Sequence, residues 1–261
     1  MSEIVQYERR GQVAIITLNR PEARNAVNGD VAQGLEAAID KMEADPDVWV
    51  GVLTANTEGQ KNPVFCAGAD LKAINSGDAG ALNTKRGGFG GYAYRERTKP
   101  IIVAVDGLAT AGGCEIVLAS DMVVASSISA FGLAEVKRNL IAGAGGLFRL
   151  PRAIGQAVAM EVILTGEPLP AQRAYELGLV NRITEPGKTV EVALELANKI
   201  CLAAPLAVYA SRKVVLAAAY ETDDVLKKMT NAEFAVVLQS EDTKEGLTAF
   251  IEKRAPQWKG R

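Results

Sequence analysis

Apolar positions along this chain switch repeatedly between a period of two and a period of three to four, the signatures of strand and helix. Residues 4–8 and 13–18 read as two strands joined at Arg10-Gly11, and Asn19-Arg20-Pro21 ends the second. Val31, Leu35, Ala38, Ile39 and Met42 then fall on one helix face, with Asn28 or Asp30 as the N-cap. Asp45-Pro46-Asp47 turns the chain into a buried strand at 48–53. The rhythm recurs as a strand at 101–105, a helix beginning near Gly113 and a strand at 122–125. Such alternation predicts an α/β architecture around a largely buried sheet.

Beyond about Leu150 the pattern changes. Only 179–183 still reads as a strand, and helical segments follow at 153–164, 171–177, 190–203, 206–219, 225–239 and 244–252. The chain thus divides into an α/β core, residues 1–200, and a helical region, residues 201–261, whose apolar faces predict packing against another subunit. The glycine-rich stretch 75–91 reads as a long loop, functional or mobile.

Composition narrows the class. A hydrophobic share of 48% and a charged share of 23% are those of a globular protein. A net charge of −2 lacks the basic surplus of a nucleic-acid or membrane-surface binder, although local basic residues can still hold an anionic ligand. The three cysteines, Cys66, Cys114 and Cys201, form no CxxC and fit a reducing compartment. The charged opening at 1–10 has no signal-peptide core, and no apolar run approaches the roughly 18 residues of a membrane span. The expected location is cytoplasmic, with no membrane or nucleic-acid partner.

The candidate chemistry is set by an absence: the chain contains no histidine. That excludes Ser-His-Asp, Cys-His and His-ligated metal sites, and no ligand-spaced cluster suggests a metal, so acid–base work falls to carboxylates, lysines, tyrosines or thiols. In Phe65-Cys66-Ala67-Gly68-Ala69-Asp70-Leu71-Lys72 a strand end runs through glycine into a helix start at Asp70, which exposes a backbone N–H, that of Ala69. Gly112-Gly113 offers a second amide at the start of the next helix. Two amides converging on one oxygen make an oxyanion hole, whereas either turn alone reads as an ordinary tight turn. Glu115, in the first helical turn and followed by Ile116-Val117-Leu118-Ala119, is expected to be semi-buried with a raised pKa. Glu135, in Glu-Val-Lys-Arg, taken singly reads as solvated. Phe89, Tyr92 and Tyr94 either line a pocket or anchor the loop. The run 95–99 reads as a solvated helix face, and Glu241-Asp242 and Glu252-Lys253-Arg254 as surface. The Gly143-Ala144-Gly145-Gly146 run fits no nucleotide-binding loop.

The order of these segments is more specific than any one of them. The Phe65–Lys72 segment, then Ala111-Gly112-Gly113-Cys114-Glu115, Phe131-Gly132-Leu133-Ala134-Glu135, Gly143-Ala144-Gly145-Gly146, Leu164-Thr165-Gly166, Ala174-Tyr175-Glu176-Leu177-Gly178-Leu179-Val180 and Ala249-Phe250-Ile251-Glu252-Lys253-Arg254 resemble the enoyl-CoA hydratase (crotonase) superfamily over nearly the whole chain. The resemblance implies a spiral of ββα units with a helical C-terminal region that builds trimers, usually paired into hexamers. It implies that the Ala69 and Gly112 amides hold the thioester oxygen of an acyl-CoA substrate, and that residues Ala69, Asp70, Leu71 and Lys72 hold its CoA portion. Arg24 matches a residue that meets CoA phosphates, and Phe234 and Lys253 match positions that reach a neighbouring subunit's CoA site.

Within the superfamily, hydratases resemble one another in carrying two glutamates, here Glu115 and Glu135. Their presence implies syn addition of water to a trans-2-enoyl-CoA, with Glu115 as base, Glu135 as acid and no cofactor. An isomerase moving a proton with one glutamate and a non-catalytic acyl-CoA-binding paralogue are the alternatives. The chain departs from the usual pattern in Ala111-Gly112-Gly113, where many hydratases have three glycines, and in Asn139-Leu140-Ile141-Ala142-Gly143, where they often have a proline just before the glycine run. Residues 87–91 and Trp258-Lys259-Gly260-Arg261 resemble the carnitinyl-CoA dehydratase branch, which implies a polar or branched acyl group.

Overall fold

The computed structural model describes residues 4–261, so the charged opening Met1-Ser2-Glu3 lies outside the described residues. The predicted hairpin forms from β1 (Val5–Arg10) and β2 (Val13–Leu18), antiparallel with Arg10 opposite Val13. Helix α1 (Gly29–Ala44) follows, and of the two cap candidates Asn28 is the one whose side chain accepts from the Val31 N–H, at 3.0 Å. Its buried face is the predicted one, extended by Ala32. The chain continues through β3 (Val50–Ala55), β4 (Val64–Cys66), α2 (Leu71–Asn75), a small hairpin of β5 (Asn83–Thr84) and β6 (Gly88–Phe89), β7 (Ile101–Val105), β8 (Leu108–Thr110), α3 (Gly112–Leu118), β9 (Met122–Ser126) and β10 (Ala130–Gly132). Then come α4 (Gly146–Ile154), α5 (Gln156–Thr165), β11 (Leu169–Pro170), α6 (Ala171–Glu176), β12 (Arg182–Thr184), α7 (Thr189–Cys201), α8 (Pro205–Ala217), α9 (Asp223–Leu238) and α10 (Glu241–Glu252).

Two sheets organise these elements. The larger runs β1-β2-β3-β7-β9-β12 and is parallel from β2 onward; the smaller runs β11-β10-β8-β4, with β4, β8 and β10 parallel. Strand β7 is buried on both faces, which explains its unbroken apolar run: Ile101, Val103 and Val105 join the main core with α1, while Ile102 and Ala104 join a second cluster beneath Ala193 and Ala197 of α7. The fold is the expected α/β class. Among the described residues no single helix is long and apolar enough to cross a membrane.

Four expectations need correction. The helix expected over 153–164 is two helices, because Gly155 (φ +82°) ends α4 and begins α5. Residues 95–99 are not a solvated helix face: the Lys99 ammonium is buried and donates to the carbonyls of Met42 (2.7 Å) and Asp45 (2.6 Å) at the end of α1, and Arg97 donates to Ala119 O (2.7 Å) at the end of α3. Cations placed at helix C-termini satisfy carbonyls that have no partner within the helix. Asp242 is buried, not surface, because its two oxygens accept the Lys259 and Gly260 N–H groups (2.7 and 2.8 Å) and pin the terminal segment. The stretch 75–91 is less open than a loop of that composition suggests, since it holds a 3₁₀ turn, Ala79–Leu82, and the β5–β6 hairpin.

Candidate active site

The site is built where three parallel neighbours end. Register places Cys66 of β4 against Ala109 of β8, and Gly132 of β10 against Thr110. The chain therefore leaves the three strands side by side, through Gly68-Ala69, through Ala111-Gly112 and through Leu133-Ala134-Glu135. Carboxyl ends of parallel strands are where α/β folds open their crevices. The first two exits touch. Gly68 has φ +86°, and a Cβ on it would stand 2.9 Å from the Gly112 nitrogen. Ala111, at φ 51° and ψ −128°, donates its N–H to Gly132 O (2.8 Å), which ties the second exit to the third. Among the described residues the Ala69 and Gly112 amides donate to no acceptor, so two free N–H groups stand on adjoining turns.

Glu115, one turn into α3, is only 3% exposed. Its Oε1 accepts two hydrogen bonds, from the Ala144 N–H (2.6 Å) and the Gly146 N–H (2.9 Å), while Oε2 takes none among the described residues. Burial pushes its pKa up, opposed by those two amides and by the charge of Arg149. Glu135 opens the 3₁₀ turn Glu135–Arg138. The solvated reading of this residue does not hold: Val136, Lys137 and Arg138 face solvent, whereas Glu135 is half-buried and its Oε2 is sealed off with no partner among the described residues. Its pKa is raised to about 7, chiefly by burial and also by the neighbouring Glu115, with its own backbone N–H and Arg138 acting the other way. The thiol of Cys114 is buried and driven well above its ordinary range, so it offers no nucleophile.

A carboxyl whose folded pKa exceeds its unfolded value stabilises the fold below the unfolded pKa and loses that contribution as pH rises through the folded one. For Glu135 that window runs from the ordinary glutamate value of 4.5 to about 7. Glu135→Gln is accordingly expected to melt above the wild type at pH 8 and to lose that advantage near pH 4.5, as read by thermal unfolding at both pH values.

A sequence profile described as enoyl-CoA hydratase/isomerase matches residues 8–261. This chain belongs to the enoyl-CoA hydratase/isomerase family. An enoyl-CoA hydratase structure from Mycobacterium tuberculosis H37Rv is 45% identical, covers 100% of both chains and superposes with a TM-score of 0.93. The (E)-benzylidenesuccinyl-CoA hydratase of Thauera aromatica is 40% identical over 98% of this chain and 99% of its own. The carnitinyl-CoA dehydratase of Salmonella typhi is 36% identical over 100% of both.

For a member of the enoyl-CoA hydratase/isomerase family, the expected CoA-contacting residues fall in two places. An isolated bridge between Val27 and Ala69, with Val27 N–H to Gly68 O and Asp70 N–H to Val27 O (both 2.8 Å), and Ala67 N–H to Arg24 O (3.1 Å), brings Arg24 beside Ala69, Asp70, Leu71 and Lys72. Arg24, Leu71 and Lys72 are exposed there. The Asp70 carboxylate is already engaged, capping α2 through the Lys72 N–H (3.0 Å) and pairing with Arg20 (3.1 Å). Phe234 on α9 and Lys253 after α10 are exposed on the helical region, and α9 packs chiefly on α8, so the fold of one chain does not bring them to Glu115 or Glu135. Two residues that shape the site went unread in the sequence. Arg20 and Arg149 work through contacts with segments distant in the chain or with backbone carbonyls, and no local spacing signals either.

Proposed function

We propose that this chain catalyses the reversible syn addition of water to a trans-2-enoyl-CoA thioester. It is an enzyme, a hydro-lyase. In the proposed reaction the Ala69 and Gly112 amides hold the thioester oxygen. Glu115, with Oε1 fixed by two amides, uses Oε2 to orient a water and take its proton as the oxygen bonds to C3. The C2=C3 electron pair moves onto the enolate, and protonated Glu135 delivers the proton to C2. One carboxyl held by two amides and another with one oxygen left unpartnered, its pKa near 7, suit a base and an acid in one site. The chemistry requires no cofactor. The observation that carries the reading is the convergence of both free amides and both glutamates at the ends of β4, β8 and β10.

The test is a panel of enoyl-CoA substrates, comprising C4, C8, C12, branched and crotonobetainyl thioesters, followed by the absorbance of the conjugated thioester. Hydration of at least one, with a ranking among acyl groups, is expected. Binding without hydration of any would favour a one-glutamate isomerase or a non-catalytic binder. A polar acyl group is the second reading, favoured by the carnitinyl-CoA dehydratase relative. The proposal places the activity in the cytoplasm, in fatty-acid or related acyl-CoA metabolism. It also assigns residues 201–261 to self-association into trimers or dimers of trimers, supported by large apolar side chains left open on α9 and α10, such as Phe250 at 85% exposed. In such an assembly Phe234 and Lys253 would serve a neighbour's CoA site.

A further inference from the structure

We propose that Tyr94 is a positioning residue for Glu115, acting through the Gly143–Ala144 peptide unit. The inference rests on the reading of Glu115 as the base and adds what holds that base in place. The Tyr94 hydroxyl donates to Gly143 O at 3.0 Å. The N–H of the same peptide unit, that of Ala144, donates to Glu115 Oε1 at 2.6 Å. A carbonyl that accepts a hydrogen bond polarises its amide, which strengthens the bond donated by the N–H. One phenol thus reaches the carboxylate through a single planar group, whose orientation it also fixes.

The phenol is itself held. The Arg149 guanidinium lies 5.3 Å from the Tyr94 ring centroid and donates to Ala93 O (2.7 Å) and Ala144 O (3.0 Å), tying the segment before Tyr94 to the far side of Ala144. The Tyr94 N–H donates to Gly87 O (2.8 Å), anchoring it to the turn between β5 and β6. Phe89 of β6 lies against Gly112, so one segment supports both the Glu115 carboxylate and a candidate oxyanion amide. Of the two readings of the stretch 75–91, functional or mobile, this brace favours the functional one.

Burial pushes Glu115 toward the neutral acid, and the Ala144 and Gly146 amides oppose it. Weakening the Ala144 bond therefore favours protonation of a group that must be ionised to accept a proton from water. The other charged or titratable groups near Glu115 are Arg149 on α4, Glu135 on its 3₁₀ turn and the adjacent Cys114 thiol. Tyr94→Phe alters none of them and keeps the ring beneath Arg149.

The experiment is the pH profile of hydration by wild type and Tyr94→Phe on the best substrate of the panel. The acid limb of kcat/KM is expected to move up by about half a pH unit, with kcat down about threefold at low pH and KM within about twofold. The alkaline limb, set by Glu135, and the melting temperature should hold still. An unmoved acid limb, or a change confined to KM or melting, overturns the assignment. If the wild type hydrates nothing, the parent reading has failed separately. The Glu115 carboxyl band, identified by infrared difference against Glu115→Gln, then decides: titration at higher pH in Tyr94→Phe supports the brace, and an unchanged titration sinks it.

Discussion

Glu115→Gln and Glu135→Gln are each expected to lose at least a hundredfold, and up to about ten-thousandfold, in hydration turnover, because each removes one partner of a proton transfer. At position 115 the amide oxygen of Gln can still accept from Ala144 and Gly146, so the glycine run keeps its place while the basic oxygen disappears. At position 135 the unpartnered Oε2 is the feature removed, and with it a proton held by a carboxyl raised to about 7. Substrate affinity should change little in either variant, since the backbone amides are untouched. The double variant is expected to be about as slow as the worse single one, because the two groups act on one reaction coordinate. Stopped-flow turnover with separate measurement of thioester binding reads all of this. If either single variant keeps turnover within tenfold of wild type, the two-glutamate mechanism is wrong and a one-glutamate proton shuttle replaces it.

The second large effect is expected at Gly112. A Cβ there would stand 2.3 Å from Cε1 of Phe89, closer than two carbons can approach, so ring or turn must move. The turn carries the free amide and is joined to Gly68 on one side and Gly132 on the other. Displacing one oxyanion donor typically costs about a hundred- to a thousandfold in kcat. Gly112→Ala is therefore expected to lose kcat on that scale and to melt lower. Adding Phe89→Ala removes the obstructing ring and should restore part of both. Turnover of Gly112→Ala within a few-fold of wild type would show that this amide does not hold the reacting oxygen.

Both predictions concern groups whose identities the sequence offered but whose company it did not. The strands at 13–18 and 101–105 and the helix over 31–42 were legible because each is long enough for its period to show. Strands β4, β8, β10 and β11 have two or three residues apiece, too few for any period, so the second sheet, on which the site stands, left only the apolar end at Phe65-Cys66 as a trace. Glu115 was readable as semi-buried from the apolar run after it. Glu135 was not, because Glu-Val-Lys-Arg has the composition of a solvated turn. Its half-buried setting, with Oε2 sealed off, arises only once β10 lies beside β8 and the 3₁₀ turn follows it.

The basic run at 95–99 misled for the same reason. Charge alone reads as solvent-facing, but Arg97 and Lys99 are drawn in by helix-end carbonyls of α3 and α1, partners that composition cannot display. Asp242 is a smaller case, buried by two backbone amides from the chain end. By itself the sequence determined the α/β class, the family resemblance and, through the absence of histidine, an acid–base chemistry left to carboxylates, lysines, tyrosines or thiols. These follow from residue type and short-range order, which the covalent chain fixes. The tertiary structure decided which amides are free, that Glu115 is held by the Ala144 and Gly146 amides while Glu135 Oε2 has no partner among the described residues, and that Tyr94 reaches the Glu115 site. Those depend on hydrogen bonds between segments some 29 to 49 residues apart, where only packing sets direction and distance.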